Sequence, residues 1–193
     1  MHPLQQHITA HTSLETLEFE RLLAHFEPVD LSKGQLLIEP GNKVEHQYFV
    51  LNGCLRTFMI DSDGKEHTLQ FAIENWWVSD YISYYKETVS ICSVECIEDC
   101  SLLKIRRVDL EQLFNVLPQV ERFFRRQLER AFVAFQLRIL SNLHKTAEER
   151  YHLFIRSYPH IEQRVKNYQI ASYLGITPES LSRLRKLRLS TDH

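Results

Sequence analysis

The sequence predicts an α+β chain: an antiparallel β-roll of the jelly-roll kind with flanking helices, then one long helix, then a compact all-α segment. Three observations predict it. Four of the five glycines, Gly34, Gly41, Gly53 and Gly64, punctuate a series of short β-like runs. At Pro118 the hydrophobic period changes from two to about 3.6 residues. At the same place the charge inverts: residues 1–117 carry nine Lys/Arg against eighteen Asp/Glu, hence −9, and residues 118–193 carry fourteen against seven, hence +7. The boundaries are therefore 1–117, 118–145 and 146–193.

Composition narrows the classes. With 44% hydrophobic and 25% charged residues over 193 positions, the chain can build a core and is neither disordered nor a miniprotein. Four cysteines are too few for a disulfide scaffold, and Met1-His2-Pro3-Leu4-Gln5-Gln6-His7 lacks the basic start and apolar core of a signal peptide, so the reducing cytoplasm is expected. No window is long and apolar enough to span a membrane, and no membrane partner is expected.

Thr12 and Glu15 make a capping box for a helix running to about Phe26, with Leu14, Leu17, Leu22 and Phe26 on its apolar side. Strands follow at 35–38, 47–51, 54–60, 67–73, 89–97 and 101–105. Asp61-Ser62-Asp63-Gly64 joins two alternating runs as a hairpin, since Asp-Gly tolerates the backbone that tight turns need. Short strands at this spacing indicate a sandwich or barrel.

From Pro118, apolar residues at Val120, Phe124, Leu128, Ala131, Phe135, Ile139 and Leu143 recur every three or four positions, giving one helix of about 25 residues over 118–143. A helix this long suits a two-helix dimer seam, with Phe124, Leu128, Ala131 and Phe135 at its centre; the alternative is that it merely covers the β part. Thr146 and Glu149 cap another helix, which ends before Pro159.

The strongest local signal spans 165–187. Ile170, Ala171 and Leu174 form the inner face of a short helix, and the small Ala171 admits a close crossing. Gly175 supplies a left-handed C-terminal residue, Ile176 plugs the turn, Thr177 caps the next helix and Pro178 opens it. Leu181, Leu184 and Leu187 face inward. Glu179, Ser180, Ser182, Arg183 and Lys186 remain outside, the polar set a major-groove helix requires. This is helix-turn-helix grammar, and joined to a basic segment it points to DNA.

Over roughly residues 20–189 the chain resembles the Crp/Fnr transcription regulators. The resemblance rests on Ala171-x-Tyr173-Leu174-Gly175-Ile176-Thr177-x-Glu179-Ser180-Leu181-Ser182-Arg183, then on Gly41, Gly53, Gly64-Lys65-Glu66 and Leu103-x-Ile105. It implies a cyclic-nucleotide-binding-like sensor roll, a dimerisation helix and a DNA-binding domain, working as a homodimer on double-stranded DNA with a contact to RNA polymerase. It further implies base reading by Glu179, Ser182 and Arg183, and backbone contacts from Lys166, Asn167, Tyr168, Thr177 and Lys186. No enzymatic activity is implied.

Two departures stand out. Arg188-Leu189-Ser190-Thr191-Asp192-His193 are too few for the β-hairpin wing usual in winged versions of this fold. In cyclic-nucleotide binders a Gly-Glu turn and an Arg followed by Ser or Thr hold the ligand; here Ser79-Asp80 and Ser90-Ile91 stand at those positions. Without the glycine and the arginine the phosphate loses its close backbone approach and its bidentate cation, so the effector site is degenerate and the effector is an unidentified small molecule or none. Trp76, Trp77, Tyr81, Tyr84 and Tyr85 either line a pocket for it or close the roll.

Cys92, Cys96 and Cys100 suggest redox chemistry, but on one extended strand neighbours four residues apart lie roughly 13 Å from each other, so buried structural cysteines are expected. His46 and His67 lack the His-x-His and Glu companions of a cupin metal site, and no metal or cofactor is expected. The rival reading is a small-molecule sensor or scaffold acting through protein contacts, its helix-turn-helix vestigial.

Overall fold

The computed structural model describes the backbone of residues 1–191 and side chains through Leu187; Asp192 and His193 lie outside the described residues. Two helices, α1 (Pro3–Thr9) and α2 (Thr16–Leu23), precede the strands β1 (Glu27–Leu31), β2 (Leu36–Ile38), β3 (His46–Asn52), β4 (Leu55–Ile60), β5 (Glu66–Ala72) and β6 (Trp77–Val78). A short helix α3 (Tyr81–Lys86) separates these from β7 (Ser93–Cys96) and β8 (Cys100–Arg106). The helices α4 (Arg107–Val116), α5 (Pro118–His144), α6 (Ala147–Ser157), α7 (Ile161–Arg164), α8 (Asn167–Leu174) and α9 (Pro178–Thr191) complete the chain.

The strands pair antiparallel in two four-stranded sheets, ordered β1-β8-β3-β6 and β2-β7-β4-β5. Between them lies a core of Val50, Leu55, Val78, Val94, Cys96 and Leu102. Outside the first sheet, α1, α2, α4 and the start of α5 bury Ile8, Phe19, Leu22, Leu113, Val120 and Phe123 against Phe49 and Ile105. At about 1.5–3 kcal/mol per buried large apolar side chain, this second layer is as much part of the roll's stability as the sandwich itself. The β4–β5 hairpin forms at Asp61-Ser62-Asp63-Gly64 as expected, with the Asp61 N–H donating to the Lys65 carbonyl at 3.0 Å and the Asp61 carboxylate accepting the Asp63 and Lys65 N–H groups.

Several expectations need correction. α2 begins at Thr16, with the capping box between Glu15 and Glu18, not Thr12 and Glu15. Its buried face is Phe19 and Leu22, and Leu17 is turned to solvent. The 89–97 run is extended as a strand only over Ser93–Cys96. β1 opens with Glu27 and Pro28 and hides its strand character, since a proline is tolerated there only because β1 is an edge strand. Leu187 is 59% exposed and belongs to no core. Instead of a wing, the residues after Leu187 continue α9 as far as Thr191.

Candidate nucleic-acid interface

The helix-turn-helix forms from α8 and α9. Gly175 closes α8 with φ 65°, a conformation costly for residues with a Cβ, and its N–H reaches the Ala171 and Ser172 carbonyls. The Ile176 N–H reaches back to the Ala171 carbonyl at 3.0 Å. Thr177 caps α9, its hydroxyl accepting the Ser180 N–H at 3.2 Å. Leu181 is fully buried with Ile170, Ala171 and Leu174, so α9 is locked by its inner side.

The opposite side of α9 faces solvent. Glu179, Ser182, Arg183 and Lys186 are all exposed, and their spacing of three and four residues puts them on one face. The Glu179 carboxyl is held below the usual range by the backbone N–H at the helix start, the Thr177 hydroxyl and then Arg183. Arg183 donates to the Ser180 hydroxyl at 3.2 Å, which steadies its base without covering it. Lys166, Asn167 and Tyr168 lie exposed at the start of α8, with Lys166 Nζ 5.9 Å from the Tyr168 ring. Asn167 is not free: its side-chain oxygen accepts from Arg185, which also donates to Glu162 at 2.8 Å.

The helical domain is seated on the outer face of β5. Phe71 of β5 is fully buried among the rings of Phe154, Tyr158 and Tyr173, at 6.0, 5.9 and 5.7 Å, and Trp76 stacks on Tyr158 at 5.1 Å. Ser172 of α8 accepts the Thr68 N–H at 2.9 Å and donates to the Glu66 carbonyl at 2.7 Å. Arg138 of α5 donates to the Leu69, Thr68 and Tyr173 carbonyls and lies 4.0 Å from the Tyr173 ring, tying the long helix to both neighbours. Arg164 is paired with both Glu74 and Glu98, which holds the Glu74 carboxyl low despite its burial. Beneath this seam Arg56, only 1% exposed, is held by Thr68, Glu66 and Glu95. Sequence reasoning finds none of Arg138, Arg164 or Ser172, because each acts on a residue at least 35 positions away and none breaks a local pattern.

Along α5, Val120 and Phe123 are buried in the roll, and so in part is Phe124, whose ring meets Trp77 at 4.8 Å and Phe114 at 5.8 Å. Phe124 therefore departs from its expected place in a free seam. From Leu128 onward the apolar residues are open: Leu128, Phe132, Phe135, Ile139, Leu140 and Leu143 are exposed, as is Ala131, with Phe135 at 58% and Leu143 at 77%.

The degenerate effector site is closed on itself. Asp80 caps α3, accepting the Ile82 and Ser83 N–H groups at 3.0 and 3.4 Å, and accepts the Ser90 hydroxyl at 2.6 Å. Ser79 donates to the His46 carbonyl at 2.8 Å. A carboxylate thus occupies the N–H groups and hydroxyl that an incoming phosphate would need, and the residues present do not fit a cyclic nucleotide phosphate. Ile91 points away and is 60% exposed. Of the aromatic cluster, Trp77 closes the roll on Phe26 and Phe49, Trp76 turns to the helical domain, and Tyr81, Tyr84 and Tyr85 pack on one another. Burial raises the phenols of all three tyrosines.

Among the described residues no cluster of His, Cys, Asp and Glu suits a metal ion, and no helix is long and apolar enough to cross a membrane. His46 and His67 are apart in role: His67 pairs with Asp61 at 2.6 Å, while His46 lies beside Tyr48.

A β-roll joined through a long helix to a helix-turn-helix is the architecture of a class of DNA-binding transcriptional regulators, and comparison agrees. Residues 28–116 match the cyclic nucleotide-binding domain. The transcriptional activator protein Anr of Pseudomonas protegens is 27% identical over 165 residues, covering 80% of this chain and 67% of that protein. Among solved structures, FixK2 from Bradyrhizobium japonicum superposes with a TM-score of 0.72 at 20% identity, covering 86% of each chain. The regulator CLP of Xanthomonas campestris gives 0.70 at 18% identity over 90% of this chain and 91% of that one. Residues 28–116 thus match a cyclic nucleotide-binding domain, and over most of its length the chain is similar to transcriptional regulators of the Crp/Fnr type.

Proposed function

We propose that this regulator binds double-stranded DNA as a homodimer, with Arg183, Glu179 and Ser182 on base edges and Lys166, Tyr168, Thr177 and Lys186 on phosphates. In this reading residues 1–117 are a sensor roll, 118–145 the dimerisation helix and 146–193 the DNA-binding domain. The observation that carries it is the face of α9: its apolar side is sealed by Leu181 while Glu179, Ser182, Arg183 and Lys186 are exposed at groove-reading spacing. The open stripe from Leu128 to Leu143 supports the dimer, because a continuous exposed apolar row on a monomer marks an interaction surface. A two-fold along α5 sets the two α9 helices about 34 Å apart, for successive major grooves. Asn167 joins the phosphate contacts only if Arg185 releases it. The effector is not a cyclic nucleotide held through its phosphate, and a contact with RNA polymerase belongs to the same reading, as does a cytoplasmic location.

The test is selection of bound fragments from the source genome by the purified chain. A recovered motif with two half-sites about 10 base pairs apart supports the reading. Recovery of DNA without any shared motif overturns base reading.

A further inference from the structure

Arg56 is a buried cation that packing alone does not explain. It is 1% exposed, on a strand whose preceding residue, Leu55, points into the core between the sheets. Arg56 therefore points the other way, with its guanidinium carbon 4.2 Å from the Phe58 ring. An apolar side chain would fill this place without taking a charge out of water, and a buried ion pair adds little stability over such a replacement. The reason for an arginine lies in what it holds.

Its partners form a directed chain into α8. Arg56 Nε donates to the Thr68 hydroxyl at 3.0 Å, that hydroxyl donates to Ser172 Oγ at 3.2 Å, and Ser172 donates to the Glu66 carbonyl at 2.7 Å. The other two guanidinium nitrogens face the carboxylates of Glu66 and, at 3.9 Å, Glu95. Tyr168 lies four residues before Ser172 and so shares its face of α8. The Tyr168 ring stands over the same guanidinium, with its centroid 5.7 Å from the central carbon, and Lys166 Nζ is 5.9 Å from that ring. Arg56 thus meets α8 at two points one turn apart, and two points fix a direction where one fixes only a position.

On the reading that α8 meets the DNA backbone, we propose that Arg56 is a positioning residue for phosphate binding: without touching DNA, it fixes the direction in which the first turn of α8 presents Lys166 and Tyr168. A guanidinium suits this task. Its face lies under a ring while its edge donates to several partners, whereas a lysine ammonium keeps the charge but cannot do both. Base reading is spared, because α9 is locked through Leu181 on the later part of α8, at Ile170, Ala171 and Leu174. The arginine belongs to the roll and the residues it aims belong to the helix-turn-helix, so the roll contributes to DNA affinity from a place no DNA reaches.

The test titrates the full chain with random-sequence duplex DNA, and with a fragment recovered by the genomic selection, at several salt concentrations. Arg56→Met and Arg56→Lys should each weaken both DNAs several-fold by the same factor, leave their ratio unchanged and reduce the salt slope by about one, the size of one phosphate contact. Added to Lys166→Ala, either change should have a smaller effect than it has in the parent; full additivity overturns the coupling. Parent-like affinity in Arg56→Lys beside a loss in Arg56→Met shows that charge alone matters and overturns the positioning. In the free protein, amide exchange over 167–172 should quicken in both variants while that of α9 stays unchanged, and unchanged exchange over 167–172 overturns the inference. Glu66 and Glu95 are partly exposed, so water reaches their carboxylates once the guanidinium is gone. If Arg56→Met still fails to fold, Thr68→Val, which removes the hydroxyl between Arg56 and Ser172 at nearly constant shape, carries the same expectations. A parent chain that binds no duplex at any salt overturns the DNA reading and this inference together; a parent that binds, with variants that match it, overturns this inference alone.

Discussion

Replacing Phe71 with alanine should separate the roll from the helical domain. Phe71 is fully buried, and the three rings around it, Phe154, Tyr158 and Tyr173, all come from α6, the residue after it, and α8. Truncating a buried phenylalanine costs about 3–5 kcal/mol. The share due to ring geometry beyond burial is about 0.5–1.5 kcal/mol per pair, and here every such pair crosses the domain boundary. Most of the loss therefore falls on docking, not on the roll's own core between its sheets. For a chain of this size 1 kcal/mol corresponds to about 2–4 °C in midpoint. Scanning calorimetry of Phe71→Ala should show the single transition of the parent split in two, the helical domain melting first by about 6–20 °C and the roll little changed. Leu181→Ala, at the heart of the helix-turn-helix, should lower the helical domain's transition without moving the roll's. A Phe71→Ala protein that still melts in one transition, displaced as a whole, would refute the assignment of its energy to the seat.

Other outcomes follow from the same geometry. Arg183→Ala should cost roughly 1–3 kcal/mol on the cognate site and relax preference at one base pair, whereas Lys166→Ala should weaken cognate and random DNA alike and reduce the salt slope by about one; titrations of both variants on both DNAs at several salt concentrations decide this. Phe135→Asp, placed in the open stripe, should give monomers by sedimentation with weakened DNA binding, while Phe124→Asp should instead destabilise the fold, because Phe124 packs on Trp77. Cyclic AMP should bind weaker than about 100 μM by calorimetry and leave DNA affinity unchanged, since a ligand moves an equilibrium only through differential affinity. The His7 pKa is pulled down to about 4 by burial, then by His11 and Arg130, so the folded imidazole stays neutral through mildly acidic pH. Its unfolded form takes up a proton near pH 6.5 while the folded form does not, so stability is lost as pH falls from 6.5 towards 4, by at most about 3 kcal/mol before solvent screening; His7→Gln should flatten that part of a denaturation-against-pH curve.

What the sequence disclosed and what it withheld divide along the reach of the interactions. The helix-turn-helix was legible to single residues, because Gly175, Thr177 and Pro178 act within four positions and Leu181 packs no more than eleven positions back. The β4–β5 hairpin was legible for the same reason, with Asp61 bonded to residues two and four away. α5 was legible from its apolar period, although Phe124 shows that period alone does not say which neighbour a face meets. α3 was hidden because Tyr81, Ile82, Tyr84 and Tyr85 are weak helix formers, and the helix stands on its Asp80 cap. The seat on β5 was illegible: Ser172 meets residues over a hundred positions away, and an arginine such as Arg138 in a basic helix looks like any solvated charge. Cys92, Cys96 and Cys100 are buried as expected, although they do not share one strand, because the chain turns between β7 and β8.

Asp80 turns an exchangeable position into one owned by the chain. A diffusing phosphate ester has a chemical potential set by its concentration, and a receptor converts that potential into occupancy. A carboxylate on the backbone has no concentration to vary: it stands at the N–H groups of α3 and at Ser90 in every molecule from the moment the roll folds. The occupancy of this one turn is thereby set by the genome, where a substitution can retune it, and not by the level of a phosphate ester from minute to minute. Information that changes within a cell's lifetime must reach this regulator by some route other than a phosphate at the start of α3.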